Sequence, residues 1–215
     1  MLLTFDTSSP QVSVALHDGE DVVAELVSEQ PMKHGEQLAP LIERALASVG
    51  AYRHDLTALG VGVGPGPFTG LRVGLVTART LAHVLELPVY GVCSLDVLAV
   101  EAVRTSVVSA PFAVATDARR REVYMATYDA DGVRLDGPVV ERPADLAERV
   151  AGLPIVGEGA TLYPDLLPGG LGPQRPSAGW LARAVTEELA ELRDPEPLYL
   201  RRPDAEAPGA RKQVS

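Results

Sequence analysis

The sequence predicts an α/β protein of two lobes, each opening on an antiparallel strand meander and continuing into alternating helices and strands. Three observations lead there. Residues 2–27 hold three strand-like runs separated by turn compositions. Helical spacing and short apolar runs then alternate to about residue 103. From residue 112 the same order begins again.

The first run, residues 2–5, ends at Asp6-Thr7-Ser8-Ser9-Pro10. Val12, Val14 and Leu16 then alternate with polar or small residues, the period of a half-buried strand, and Asp18-Gly19 turns the chain into a third run over 22–27. Leu38, Leu41, Ile42, Ala45, Leu46 and Val49 recur at helical spacing, and Gly50 stops that helix. Pro40 has no N–H for the Glu36 carbonyl, so the helix either begins near Leu38 or is kinked. A strand over 59–63 leads through a glycine-rich loop into a long helix over 71–85, with Pro88 beyond it. A strand over 89–92 follows, and Ser94 is expected to cap a helix running to about Val103.

In the second half, strands are expected over 112–116 and 123–128, with a third run at Val133 and Val139-Val140. A short helix over 143–150 opens on proline, a strand follows over 153–156, and the last strong helix spans 177–192. Phe5-Asp6-Thr7 matches Thr116-Asp117-Ala118, and Asp18-Gly19 matches Asp131-Gly132, so the halves read as a duplication. This twice-used order is the pattern of the actin-like (ASKHA) ATPase fold, each lobe built on a ribonuclease-H-like meander. The expected lobes are 1–104 and 105–202, with a flexible tail over 203–215 rich in proline, glycine, alanine and charge.

Composition narrows the function. A net charge of −10 argues against gripping a nucleic-acid backbone unaided, though it leaves room for a local arginine patch. Cys93 is the single cysteine, which excludes an internal disulfide and multi-cysteine zinc sites; its place at the end of an apolar run reads as a buried small hydrophobe. No signal-peptide pattern opens the sequence and no window holds ~18 uninterrupted apolar residues. The expected location is cytoplasmic, without a membrane.

Gly62, Gly64 and Gly66 stand between a strand and a helix, where backbone amides can approach an anion. Asp6, Thr7, Gly64, Gly66 and Thr69 are the candidate nucleotide or phosphate set. The loop also reads as a stiff connection, since Gly70 is followed by Leu71-Arg72 where a P-loop has Lys-Ser/Thr, and Pro67 occupies the last glycine position of a dinucleotide fingerprint. Gly70, Gly74, Ala78 and Ala82 recur every four residues, a small-residue row that could admit a partner helix or pack within the chain. His34 has Gln37 and Leu38 where a helical metal pair needs a second ligand, so no metal site is expected. Arg119-Arg120-Arg121 is a short basic run in a turn.

Phe5-Asp6-Thr7-Ser8, His34 with Gln37-Leu38-Ala39-Pro40-Leu41-Ile42, and Gly64-Pro65-Gly66-Pro67-Phe68-Thr69-Gly70-Leu71-Arg72-Val73-Gly74 together resemble the bacterial TsaB (YeaZ) family. Tyr90-Gly91-Val92-Cys93-Ser94-Leu95 and Pro197-Leu198-Tyr199-Leu200-Arg201 also fit that pattern. The resemblance implies a non-catalytic partner of TsaD, which transfers a threonylcarbamoyl group to the adenosine 3′ of the anticodon in tRNAs reading codons that start with A. It implies a heterodimer with TsaD, joined by the ATPase TsaE, a homodimer when alone, and tRNA met only through the complex. No cofactor of its own is implied, an ATP or ADP at the shared face being left open. The family's dimer face falls here on residues 34–49 and 70–85. The expected contacts are His34, Leu38, Leu41, Ile42 and Ala45, with Gly70, Arg72, Gly74, Ala78 and Ala82. Paired helical histidines of the TsaD kind are missing, which fits a sibling without catalytic metal. The alternatives are an independent actin-like ATPase or kinase using Asp6 and the loop, and the older glycoprotease-like peptidase description, for which no residue pattern speaks.

Overall fold

The computed structural model describes residues 1–28 and 33–201; residue 202 and the tail expected over 203–215 lie outside the described residues. Two five-stranded sheets share one plan. The first contains β1 (Leu2–Asp6), β2 (Ser13–His17), β3 (Val22–Val27), β4 (Ala58–Gly62) and β5 (Val89–Val92), in the order β3-β2-β1-β4-β5. The second contains β6 (Phe112–Asp117), β7 (Val123–Tyr128), β8 (Arg134–Glu141), β9 (Ile155–Val156) and β10 (Gly170–Leu171), in the equivalent order β8-β7-β6-β9-β10. In each, the first three strands are antiparallel and the last two run parallel to the first. The duplication therefore extends to whole-sheet topology. It reaches the turns as well: Ser8 N–H donates to Asp6 Oδ1 at 2.7 Å and Arg119 N–H donates to Asp117 Oδ1 at 2.8 Å, the same two-residue reach at the same strand end.

Among the described residues six α-helices surround the sheets: α1 (His34–Ser48), α2 (Phe68–Leu85), α3 (Ser94–Arg104), α4 (Pro143–Leu146), α5 (Glu158–Leu162) and α6 (Ala178–Thr186). Alternation along β1 assigns the faces of the first sheet. Leu3 and Phe5 join Leu38, Leu41, Leu71 and Leu75 of α1 and α2, while Leu2 joins Leu181, Ala182 and Val185 of α6. Thr4, on the α6 side, donates from Oγ1 to the Ala178 carbonyl at 2.8 Å. In the second sheet Phe112, Val114 and Tyr128 meet Leu95, Leu98 and Ala102 of α3. Ala113, Met125 and Ile155, on its other face, pack with Leu146 and Ala160.

The halves thus exchange a helix. Helix α3 follows the last strand of the first sheet yet packs on the second; α6 follows the last strand of the second sheet yet packs on the first. A division at residue 104/105 follows chain order but not packing, because α3 shares its core with the second sheet and α6 with the first. The segment after α6 also belongs to both sides. Arg193 exchanges two backbone hydrogen bonds with Gly91, at 2.8 and 2.9 Å, and Leu198 N–H donates to the Val63 carbonyl at 2.9 Å. The Leu198 side chain packs against both cores, and Arg201 Nη1 donates to the Ala118 carbonyl at 3.1 Å.

Several element ends differ from the sequence expectation. Helix α1 runs from His34 straight through Pro40, which is exposed, as is Glu36 on the same side of the helix, so the carbonyl that loses its donor faces water. Helix α2 begins at Phe68, inside the stretch assigned to the loop. Ser94 is the first residue of α3 rather than its cap, because its hydroxyl is turned to Asp6. Helix α4 is shorter than 143–150, and α5 and β10 carry too few residues to show a period.

Helix α6 stops at Thr186 instead of near 192. Glu188 takes a left-handed φ of 53°, and Leu189 N–H closes onto the Ala184 carbonyl at 3.1 Å. Helices α2 and α3 end the same way through Glu86 and Ser106, and only α1 uses glycine, Gly50, for that position. Among the described residues no helix is long and apolar enough to cross a membrane.

A half-buried acid on α3 makes the fold pH-sensitive. Burial, reinforced by nearby Glu25, pushes the Glu101 carboxyl on α3 up to about 7. Glu25 itself is held by the Ser177 hydroxyl at 2.7 Å and by Gly179 N–H at 3.2 Å, at the start of α6. Because the folded-state value lies above the unfolded value of 4.5, this contribution to stability is complete below pH 4.5 and is lost as pH rises through about 7. Thermal melts should show wild type losing stability between pH 5 and about 8, relative to Glu101→Gln, whose difference from wild type should be largest at the alkaline end. Parallel pH profiles for the two proteins would contradict this.

Candidate functional site

Two regions carry the residues singled out by the sequence: the glycine loop with its partner turn, and the paired helices α1 and α2.

The loop is built around the Asp6-Thr7-Ser8 turn. Asp6 is fully buried, with Oδ1 accepting from the Ser8 amide and hydroxyl and Oδ2 accepting from the Ser94 hydroxyl at 2.6 Å. Burial pushes its carboxyl above the ordinary range, against the opposing effect of the Ser8 and Ser94 hydrogen bonds. Ser94 in turn accepts from Gly64 N–H at 3.2 Å, and its own amide donates to the Gly64 carbonyl at 2.8 Å. Thr7 is buried and donates from Oγ1 to the Gly70 carbonyl at 2.9 Å.

Glycine permits this closeness. A Cβ at Gly66 would stand 2.6 Å from the Ser8 carbonyl oxygen, and one at Gly70 would stand 2.5 Å from that of Thr7. At Gly62 it would overlap the Asp6 carboxylate, and at Gly74 the Thr7 hydroxyl.

These contacts place most of the candidate nucleotide set inside the chain. Asp6, Thr7, Gly64 and Gly66 are buried, and their polar contacts and close packing are taken up inside the chain; only Thr69 is exposed. The cavity that remains between the lobes lies beside them, lined by Ser8, Pro65, Pro67, Asp117, Glu158 and Arg175 among others, and has a volume of about 10 Å³. That is room for about one water, where a small-molecule site needs ~300 Å³ or more. Arg175 braces the cleft, donating to Gln11 Oε1 at 2.8 Å on one side and to Glu158 Oε2 at 3.1 Å on the other.

Helices α1 and α2 lie side by side and run the same way. His34 at the start of α1 stands next to Gly70 at the start of α2, and Leu46 near the end of α1 shares a groove with Leu81. Of the ten expected contact residues, His34, Leu38, Leu41, Ile42, Ala45, Gly70, Gly74 and Ala78 are buried and Ala82 is half-buried. Only Arg72 is exposed. The small-residue row faces inward because the Asp6–Ser8 turn sits on it. His34 is likewise engaged, with Nε2 2.7 Å from the Ser9 carbonyl. Cys93 is fully buried, and burial pushes its thiol up to about 12, so it behaves as a core residue.

The exposed side of α2 carries a different row with the same spacing: Phe68, Arg72, Val76, Thr80 and Val84. Val76 and Val84 are 58% and 68% exposed. Arg72 lies over the Phe68 ring at 5.1 Å, and Phe68 meets Tyr199 of the crossing segment at 5.0 Å between centroids. Beside this ridge, α1 exposes Gly35, Ala39, Glu43 and Ala47, mostly small side chains over which another backbone can come close. An apolar ridge next to a low shelf is a surface that water covers poorly and a partner helix covers well.

Known proteins align with this architecture. The family model described as TsaD, tRNA N6-adenosine threonylcarbamoyltransferase, matches residues 21–167. An uncharacterised protein of Mycobacterium tuberculosis is 43% identical over 212 residues, covering 95% of this chain and 93% of its own length. The tRNA threonylcarbamoyladenosine biosynthesis protein TsaB of Escherichia coli is 35% identical over 175 residues, covering 77% of this chain and 74% of its own. Among solved structures, YeaZ from Pseudomonas aeruginosa superposes with a TM-score of 0.76 at 29% identity, covering 93% of this chain and 99% of that one.

Two substitutions measure the seat of the turn. Ser94→Ala leaves one oxygen of the buried Asp6 carboxylate and the Gly64 amide without their partner, and should cost about 2 kcal/mol in denaturant unfolding. Gly74→Ala drives a methyl into the Thr7 hydroxyl and should cost ~1–3 kcal/mol. Near-neutral values for both would mean that the turn is not held as described.

Proposed function

The chain belongs to the TsaB (YeaZ) family, and on that footing we propose that it is the docking, non-catalytic subunit of a tRNA threonylcarbamoyltransferase assembly. It takes part in forming N6-threonylcarbamoyladenosine on tRNA. The observation that carries the docking role is the exposed Phe68–Arg72–Val76–Thr80–Val84 ridge of α2 beside the small-residue shelf of α1.

The partner is the TsaD-like transferase, and it covers this ridge with helices of its own. Docking of this kind activates the transferase only by favouring one of its conformations, since a subunit that bound all of them equally would shift nothing. TsaE joins the same assembly, and in the partner's absence the ridge pairs with a second copy of the chain. The subunit has no nucleotide site of its own; this reading is supported by the narrow cleft and by an Asp6 whose oxygens are occupied internally.

The test places a charge at the middle of the ridge. Val76→Glu sits on the solvent side of α2, so the isolated chain should keep its fold, with wild-type circular dichroism at a concentration too low for self-pairing. Calorimetry against TsaD should show affinity reduced by ~30-fold or more, about 2 kcal/mol, and reconstituted tRNA modification should fall with it. Unchanged affinity would place the docking face elsewhere.

A further inference from the structure

We propose that Arg72 is the residue by which the docking face selects its partner, its guanidinium taking a carboxylate on the transferase helix that covers the ridge; this rests on the function proposed above. The rest of the ridge is uncharged, being Phe68, Val76, Thr80 and Val84, and no residue of α2 is acidic. Arg72 is exposed, and among the described residues its charge meets the Phe68 ring and no carboxylate. Arg79, two turns further along α2, shows what an arginine of this helix does when an acid is in reach: it donates to Glu196 at 3.1 Å. Glu36, near the start of α1, is met by Lys33 at 3.7 Å.

The cation is also seated from behind. Its guanidinium carbon lies 5.1 Å from the centroid of Phe68, and that ring lies 5.0 Å from Tyr199. Tyr199 follows Leu198, whose N–H is bonded to the Val63 carbonyl at 2.9 Å, so the aromatic pair is tied to the strand end that leads into the glycine loop. A ring steadies the charge but accepts none of the five guanidinium N–H groups as an oxygen does. Arginine suits this seat better than lysine, because its plane packs on a ring and its fork fits a carboxylate in a two-pronged manner.

Docking supplies the need for an acid. A partner helix that covers the ridge strips water from the guanidinium, and burial of that charge without an anion opposes binding. A wholly apolar surface is therefore penalised, while one with a carboxylate at this single point is accepted. Phe68, Val76 and Val84 supply contact area; Arg72 supplies the choice of partner and its register along the ridge. The apolar residues around it suit a protein helix, not a line of phosphates.

Calorimetry against TsaD tests the pairing. Arg72→Met keeps an apolar stem without the charge and should weaken binding about tenfold or more. Arg72→Lys keeps the charge without the fork and should fall between Arg72→Met and wild type. Arg72→Glu should weaken binding by about 100-fold, and one Asp→Arg or Glu→Arg variant of TsaD should recover about tenfold or more of that loss. Arg72 is exposed, so all three variants should keep wild-type circular dichroism at low concentration.

Wild-type affinity in Arg72→Met and Arg72→Glu overturns the proposal. So does a loss that no charge-reversed TsaD variant rescues, since it would come from packing on Phe68 and not from an ion pair. Either result beside a strong loss in Val76→Glu rejects the pairing and keeps the docking function. Rescue of Arg72→Glu beside unchanged affinity in Val76→Glu upholds the pairing and rejects the rest of the ridge. Absence of any association between the wild-type chain and TsaD removes both.

Discussion

Asp6 has both carboxylate oxygens occupied within the chain, one by Ser8 in its own turn and the other by Ser94 at the start of the helix that crosses to the second sheet. That hydroxyl also receives the amide of Gly64. One buried acid therefore joins the first strand, the glycine loop and the crossing helix. The turn that carries it presses against Gly62, Gly66, Gly70 and Gly74, where side chains would collide. The direction in which α2 faces follows from this seating. With the turn lodged on its glycine row, the opposite row of Phe68, Val76 and Val84 is left in water.

The same arrangement explains why so little room remains between the lobes. Arg175 reaches both sides of the cleft, and the segment from Arg193 to Arg201 is hydrogen-bonded to β5, to the glycine loop and to the β6–β7 turn. For the lobes to part and admit a ligand, these bonds would have to break. The exposed row of α2 and the shelf of α1 lie outside this cleft.

Much of the fold was readable from residue order because long apolar periods and turn residues coincide. The three opening strands, the β4–α2 and β5–α3 units and the doubled plan all follow from such signals. Helix ends were less legible: Glu86, Ser106 and Glu188 occupy left-handed positions that glycine usually marks, so only Gly50 announced its helix end. The two-residue β9 and β10 had no period to show. At α2 the spacing of four was readable but its direction was not. Two rows of that spacing lie on opposite sides of α2, and an apolar row would ordinarily be assigned to the core. What reverses the assignment is the close approach of a turn some sixty residues earlier in the chain, a tertiary constraint that no local window contains. Ser94 is a similar case, a residue suited to capping whose hydroxyl is taken by a distant acid.

The exchange of α3 and α6 has a consequence for how the molecule comes into being. As the polypeptide leaves the ribosome, β1 to β5 can assemble early, but the face that α6 will cover stays bare until residues beyond 186 have emerged. Leu2, in β1, waits for Leu181. Neither half is a self-sufficient folding unit, since each finishes its partner's hydrophobic interior. Synthesis interrupted at the midpoint would yield a fragment with an open, adhesive sheet rather than a smaller working protein.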